Sequence, residues 1–195
     1  MNYNPLVTIA LLSYNRLDDL KETLSKLKDI KYNNLEILVV DNNSDDGSIE
    51  FIKSYDKIKL KYFIFKENLG VGYGRMKALS LSKGEIIISI DDDCFLKPDV
   101  VEKTIEIFSK NQNLAAISYG NLNPILKFNE KFYFEKTKII NIDKYKNCYD
   151  GVLILCSSAW RSSALKKIYF KNITLTKLYL NNDNKKMLYG CIESD

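Results

Sequence analysis

The 195-residue sequence contains no histidine. That absence removes Ser-His-Asp and Cys-His nucleophilic catalysis, histidine general bases and histidine-ligated zinc together. Acid–base or metal chemistry must then run on carboxylates. The four cysteines, Cys94, Cys148, Cys156 and Cys191, show no C-x-x-C spacing, which argues against a zinc or redox site and against a small disulfide scaffold. Free thiols in a reducing cytoplasm are the expectation. No apolar run reaches the length of a membrane span, and Met1-Asn2-Tyr3-Asn4-Pro5 lacks the basic start of a signal peptide. Internal repeats and linkers rich in Gly, Pro or Ser are also missing, so a single domain over residues 1–195 is expected.

What is present points to a folded chain. Apolar residues reach 46%, enough to bury a core, and the 28% of charged residues intersperse both signs, which speaks against disorder. The net charge of +4 is spread over predicted helices and loops rather than gathered on one face, so nucleic acid is not an expected partner.

Along the chain, short apolar runs alternate with helical patterns. Leu6 to Leu12 reads as a strand covered on both faces. Leu17, Leu20, Leu24 and Leu27 form the buried stripe of a helix. Leu35 to Val40 is a second strand ending at Asp41, and Ser44 suits the N-cap of a short helix through Ile49, Phe51 and Ile52. Ile58 to Phe65 alternates with lysines as a more exposed strand, Val71 to Leu81 is helical, and Glu85 to Ile90 is the clearest buried strand. Pro98 fits the first position of a helix carrying Val101, Ile105 and Phe108, and Leu114 to Tyr119 reads as a fifth strand. After Gly120 the pattern loosens until Gly151 to Trp160, with a helical reading for Arg161 to Ile168. Such alternation predicts an α/β fold with right-handed crossovers and a mostly parallel sheet, with ligands at the carboxyl ends of its strands.

Three segments carry the chemistry. Asp91-Asp92-Asp93 directly follows the most buried strand. Adjacent carboxylates repel unless a positive group sits among them, and hard divalent cations such as Mg²⁺ or Mn²⁺ prefer this oxygen set. The three lie too far before Pro98 for all to be helix caps. Asp41 ends its strand, where it either accepts hydrogen bonds from a ligand or forms an Asx turn; Asp45 and Asp46 suit the first turn of a helix. Asn68-Leu69-Gly70-Val71-Gly72-Tyr73-Gly74-Arg75 has glycines that permit close backbone approach before a helix, but its spacing is not the dinucleotide fingerprint G-x-G-x-x-G.

Together these segments resemble glycosyltransferase family 2. Ser13-Tyr14-Asn15-Arg16 resembles the family's opening segment beside the nucleotide, and Val40 to Ser48 resembles its V-D-N/D-x-S-x-D-G-[ST] motif. Asn68-x-Gly70 with Gly74-Arg75 resembles the N-x-G…A-R-N stretch, Asp91-Asp92-Asp93 the D-x-D signature, and Gly151 to Leu165 the strand and helix start before the catalytic loop. Glu193-Ser194-Asp195 resembles the later motif that carries the general base. Met76 stands where the family usually has Asn, and Ala78 where it often has Gly.

The resemblance implies a GT-A fold, a Rossmann-like mostly parallel sheet with helices on both faces. Residues 1–120 would form the nucleotide-sugar half and residues 121–195 a partial acceptor and catalytic half. It implies an inverting, metal-dependent transfer from a UDP- or dTDP-sugar to an acceptor hydroxyl, with Mn²⁺ or Mg²⁺ as cofactor and a role in surface glycan synthesis. Ser13, Tyr14, Arg16, Asp41, Asn68, Arg75, Asp91 and Asp92 would face the nucleotide sugar. Asp91 and Asp93 would hold the metal, and Glu193, or alternatively Asp195, would act as general base. Glycan, lipid-linked and protein acceptors are all compatible, as is peripheral association with the inner face of a membrane. A nucleotidyltransferase would need a Gly-rich loop where Ser13 to Arg16 stand. A non-catalytic protein that binds nucleotide sugar is the remaining alternative.

Overall fold

Seven consecutive buried residues, Val7–Ser13, form β1, the strand around which the sheet is built. In the computed structural model, which describes residues 3–112, 114–119 and 157–165, β1 lies between two parallel neighbours. These are β2 (Leu35–Asp41) and β4 (Ile86–Asp91). A strand paired on both edges and covered on both faces can hold apolar residues at every position, which is why its sequence does not alternate. Beyond β2 runs β3 (Leu60–Ile64), parallel and at the edge, with Lys61 and Tyr62 exposed.

The two faces are sorted by the strand period of two. Val7, Ile9 and Leu11 pack into a core that takes Leu20, Leu24 and Leu27 from α1 (Leu17–Leu27) and Ile52 from α2 (Ser48–Ser54). The same core receives Val101, Ile105 and Phe108 from α4 (Val100–Lys110). Ala10 and Leu12 face the opposite way, against Ala78 of α3 (Gly70–Leu81), Leu38, Val40 and Trp160.

The far side of the sheet departs from a simple parallel pattern. β6 (Ser158–Arg161) pairs antiparallel with β4, and β5 (Ala116–Ser118) pairs antiparallel with β6, giving the order β3-β2-β1-β4-β6-β5. Arg161, expected to open a helix, instead ends β6, and helical backbone begins at Ser162. Its guanidinium donates from Nε to the Leu114 carbonyl at 2.7 Å and from Nη2 to the carbonyls of Phe108 and Asn111 at 2.6 and 3.1 Å. It also lies 4.7 Å from the centre of the Phe108 ring. A cation here adds a further donor to the Phe108 and Asn111 carbonyls, which already accept the N–H groups of Asn111 and Leu114, and opposes the negative end of the helix dipole.

Two helix starts also differ from their local signals. α4 begins at Val100 with Asp99 as its cap, so Pro98 sits in the preceding turn. α2 begins at Ser48 after Gly47, whose φ of 95° a side chain would disfavour, and Ser44 is committed elsewhere.

At the amino end of the sheet, Glu36 is a nearly buried carboxylate, 8% exposed. It accepts hydrogen bonds from Thr8 Oγ1 at 2.8 Å and the Lys83 N–H at 3.0 Å, and pairs with the Lys61 ammonium. Burial alone would raise its pKa, but the bonds from Lys61, Lys83 and Thr8 outweigh burial and hold it below the usual glutamate value.

Candidate functional site

The opposite end of the sheet gathers the segments singled out in the sequence. Register sets Ser13 beside Asp41, and Leu12 beside Asp91, so the turns after β1, β2 and β4 leave the sheet side by side.

The turns after β1 and β2 are laced together by side chains. Asp41 is fully buried and accepts from the Ser44 N–H at 2.8 Å on one oxygen and from Ser44 Oγ at 2.7 Å on the other. Ser44 Oγ accepts in turn from the Asn15 N–H at 2.9 Å, and Asn15 Oδ1 accepts from the Asp45 N–H at 2.8 Å. Asn15 and Asn43 hold positive φ angles of 52° and 68°, a region that asparagine tolerates better than most residues. Asp46 accepts from the Leu17 N–H at 2.7 Å and the Ser48 N–H at 3.1 Å, serving the first turns of both α1 and α2. Burial would raise the Asp46 carboxyl, yet its bonds from Ser48 and Leu17 leave it below the ordinary value.

The three carboxylates after β4 point to three different partners. Asp91 faces Arg75, whose Nη2 lies 3.0 and 3.2 Å from its two oxygens. Asp93 is half-exposed and accepts from Arg16 Nη1 at 2.6 Å, while Arg16 Nε also reaches Asp19 at 2.8 Å. Asp92 turns inward and is 4% exposed. Its Oδ2 accepts from Ser13 Oγ and from the Tyr14 N–H, both at 3.1 Å, and its backbone carbonyl accepts from Thr23 Oγ1 at 2.6 Å. Burial pushes the Asp92 carboxyl up to about 6, with the nearby Asp93 charge adding, against the Tyr14 and Ser13 bonds and the Arg16 charge.

Arginines thus supply part of the positive charge that three adjacent carboxylates call for. Among the described residues no three His, Cys, Asp or Glu side chains gather as a metal cage. Mg²⁺ and related hard cations bind through one or two carboxylates together with water and substrate phosphate, so Asp93, half-exposed, with Asp91 two residues before it, fits that donor chemistry.

α3 is fixed to the end of β2 by two asparagines. Asn42 Nδ2 donates to Asn68 Oδ1 at 2.7 Å, and Asn42 Oδ1 accepts from the Leu69 N–H at 3.0 Å. Asn68 Oδ1 also accepts from the Gly70 N–H at 2.8 Å, closing a turn in which Gly70 has a φ of 82°. Asn42 is 2% exposed; its sequence signal was its place in the Val40–Ser48 motif, with no role of its own attached to it. The close approach that Gly74 permits is to Leu12 of β1, so this glycine serves helix–sheet packing. Arg75, on the next residue, has a buried Nε with no hydrogen-bond partner among the described residues. Two exposed aromatics belong to the same turns, Tyr14 after β1 and Phe95 after β4. Phe95 carried no sequence signal. Glu193 and Asp195 lie outside the described residues.

Comparison with known proteins places this geometry in context. The family model described as glycosyl transferase family 2 matches residues 8–169. The chain is 32% identical over 157 residues to TuaG of Bacillus subtilis, a protein named as a teichuronic acid biosynthesis glycosyltransferase, covering 78% of this chain and 62% of that one. It is 28% identical over 149 residues to the glycosyltransferase GlyA of Streptococcus pneumoniae, covering 76% and 21%. The chain therefore spans less than two thirds of these relatives. Among solved structures, residues 1–349 of TarS from S. aureus align with a TM-score of 0.66 at 18% identity, over 83% of this chain and 48% of that one. The mannosyltransferase PcManGT from Pyrobaculum calidifontis, solved with GDP-Man and Mn²⁺, aligns with a TM-score of 0.56 at 23% identity, over 62% and 37%. At such identities the structural likeness is one of fold.

Proposed function

Since the chain belongs to glycosyl transferase family 2, we propose that it binds the diphosphate of a nucleotide sugar beyond the carboxyl ends of β1, β2 and β4 and transfers the sugar, with inversion, to an acceptor hydroxyl. The observation that carries this reading is the meeting of three turns there, with Asp41, Asp91, Asp93, Arg16 and Arg75 on or beside them. Open α/β sheets bind ligands at this end, where backbone donors and loop side chains converge. TarS, of the same fold, has been solved with UDP-GlcNAc, and PcManGT with GDP-Man and Mn²⁺, which supports a nucleotide-sugar donor for this chain.

In this reading Asp93, with Asp91 two residues before it, would hold Mn²⁺ or Mg²⁺. The cation would supply positive charge against the departing diphosphate. Asp41 and the Ser13–Arg16 turn would flank the nucleoside, and Asn68 and Arg75 the sugar-phosphate side. Glu193 is the proposed base that takes the proton from the acceptor hydroxyl as it attacks the anomeric carbon from the side opposite the diphosphate, with Asp195 as the alternative. The likeness to TuaG, named for teichuronic acid biosynthesis, supports a role in surface glycan synthesis. No helix among the described residues is long and apolar enough to cross a membrane. The alternative reading is donor binding without turnover.

The test is calorimetric titration of UDP, dTDP and GDP into the protein with and without Mn²⁺, repeated on Asp93→Ala. Metal-dependent binding lost in the variant is the expected result. Absence of binding by any nucleotide under either condition would overturn the donor site. Hydrolysis or transfer of a bound donor sugar then separates the enzyme from the binding protein.

A further inference from the structure

The middle carboxylate of the three is the one whose surroundings differ in kind. Asp91 and Asp93 meet the guanidinium groups of Arg75 and Arg16, whereas Asp92 meets hydroxyl and backbone groups of the neighbouring strand, its turn and helix α1. Ser13 Oγ and the Tyr14 N–H converge on one of its oxygens, and Thr23 of α1 holds its backbone carbonyl. These bonds join the turn after β4 to the turn after β1 across chain separations of 79, 78 and 69 residues. Tyr14 and Arg16 leave the sheet from the turn so held, and Arg16 reaches Asp93.

We infer that Asp92 is a positioning residue: its inward carboxylate locks the turn after β1 to the turn after β4 and so sets where Tyr14 and Arg16 stand toward the donor, without itself touching nucleotide or metal. This rests on the donor-site reading and goes beyond it, since the resemblance had set Asp92 with the nucleotide-sugar residues. The chemistry separates the two roles. A side-chain amide keeps an oxygen that accepts from both Ser13 and Tyr14 but is a poor ligand for a hard cation. Alanine removes the acceptor altogether and leaves the part-buried Tyr14 N–H and the buried Ser13 hydroxyl without it.

The experiment compares wild type, Asp92→Asn, Asp92→Ala and Asp93→Asn as full chains. It reads three quantities: Mn²⁺ binding by electron paramagnetic resonance, UDP affinity by calorimetry with Mn²⁺, and amide hydrogen exchange at Tyr14. Asp92→Asn should keep Mn²⁺ binding and stay within roughly threefold of wild type for UDP, while Asp92→Ala loses UDP affinity by roughly tenfold. Tyr14 exchange should accelerate in Asp92→Ala and return in Asp92→Asn, a rescue that tracks the acceptor oxygen rather than the charge. If Asp92→Ala does not fold, Ser13→Ala removes one of the two donors and should weaken UDP binding while sparing Mn²⁺. Loss of Mn²⁺ binding in Asp92→Asn equal to that in Asp93→Asn would overturn the proposal, as would wild-type UDP affinity in Asp92→Ala. If wild type binds no nucleotide, the donor site fails, and Tyr14 exchange still decides whether Asp92 holds the turn.

Discussion

Leu12 and Gly74 meet so closely that a Cβ on residue 74 would lie 2.4 Å from Leu12 Cδ1. β1 and α3 therefore approach to a distance that only glycine allows, and Arg75 is carried on the residue that follows. Gly74→Ala should force Leu12, 8% exposed, to shift within a packed core and cost about 1–3 kcal/mol. Urea unfolding measures this, and Leu12→Ala in the same chain should return part of the loss by making room. An unchanged midpoint would mean that the helix rides farther from the sheet.

Glu36 makes the amino end of the sheet sensitive to acid. Its carboxyl is held below the ordinary value in the folded chain, so the unfolded chain takes up the proton first as pH falls. The stabilisation from charged Glu36 is complete above the ordinary glutamate pKa of about 4.3 and is lost as pH drops below it. Glu36→Gln should cost about 1–3 kcal/mol at neutral pH, by weakening the Lys61 pair and the Lys83 and Thr8 bonds. It should also flatten the acid limb of stability against pH, and a limb of unchanged slope would exclude Glu36 as its source.

The parallel half of the fold was legible because its central strands are buried on both faces and their sequences are nearly continuous apolar runs, broken only by Thr8 in Val7–Leu12 and Ser89 in Ile86–Ile90. The leucine stripe of α1 gave its helix to the residue. What escaped was set by distant partners. Arg161 looked helical locally, but it pairs with Ile86 of β4 while its guanidinium reaches across to carbonyls at the end of α4. Ser44 looked like a cap, but a buried carboxylate three residues earlier claims both its N–H and its hydroxyl. The Asp91–Asp93 run was visible as a chemical cluster, yet its three directions depend on a turn and on three separate elements. Asn42 was visible only as a member of the Val40–Ser48 motif, and its reach to Asn68 and Leu69 is a tertiary fact.

Arg75 and Asp91 should behave as one unit. Their side chains are 12% and 29% exposed, so removing either leaves a partly desolvated charge. Arg75→Ala and Asp91→Asn should each destabilise, and the double variant should fall short of their sum by about 1–2 kcal/mol. A double-mutant cycle by thermal unfolding reads this directly. Strict additivity would show that the two groups do not sense each other.

Arg16 and Asp93 should behave otherwise. Their side chains are 48% and 47% exposed, and an exposed pair of this kind adds little to stability. Arg16→Ala should leave the unfolding free energy within about 0.5 kcal/mol of wild type. In the proposed site it should nonetheless change the affinity for Mn²⁺ in the absence of nucleotide, and tighten it, because a competing cation has been removed from Asp93. Weaker Mn²⁺ binding in the variant would instead mark Arg16 as a helper of the metal site.

The insertion of β6 between β4 and β5 gives the molecule an order of assembly during synthesis. β3, β2, β1 and β4 can pair with one another as soon as the chain has emerged past Asp91, because these parallel pairings lie within that stretch. β5 follows on the ribosome but has, among the described residues, no neighbour other than β6, which arrives with residues 158–161. The free edge of β4 and the end of α4 therefore wait for the same four residues, and Arg161 closes both in one step. A nascent chain arrested before Ser158 would hold its four parallel strands with one edge open to strangers, and release of the rest would complete the sheet from the inside outward.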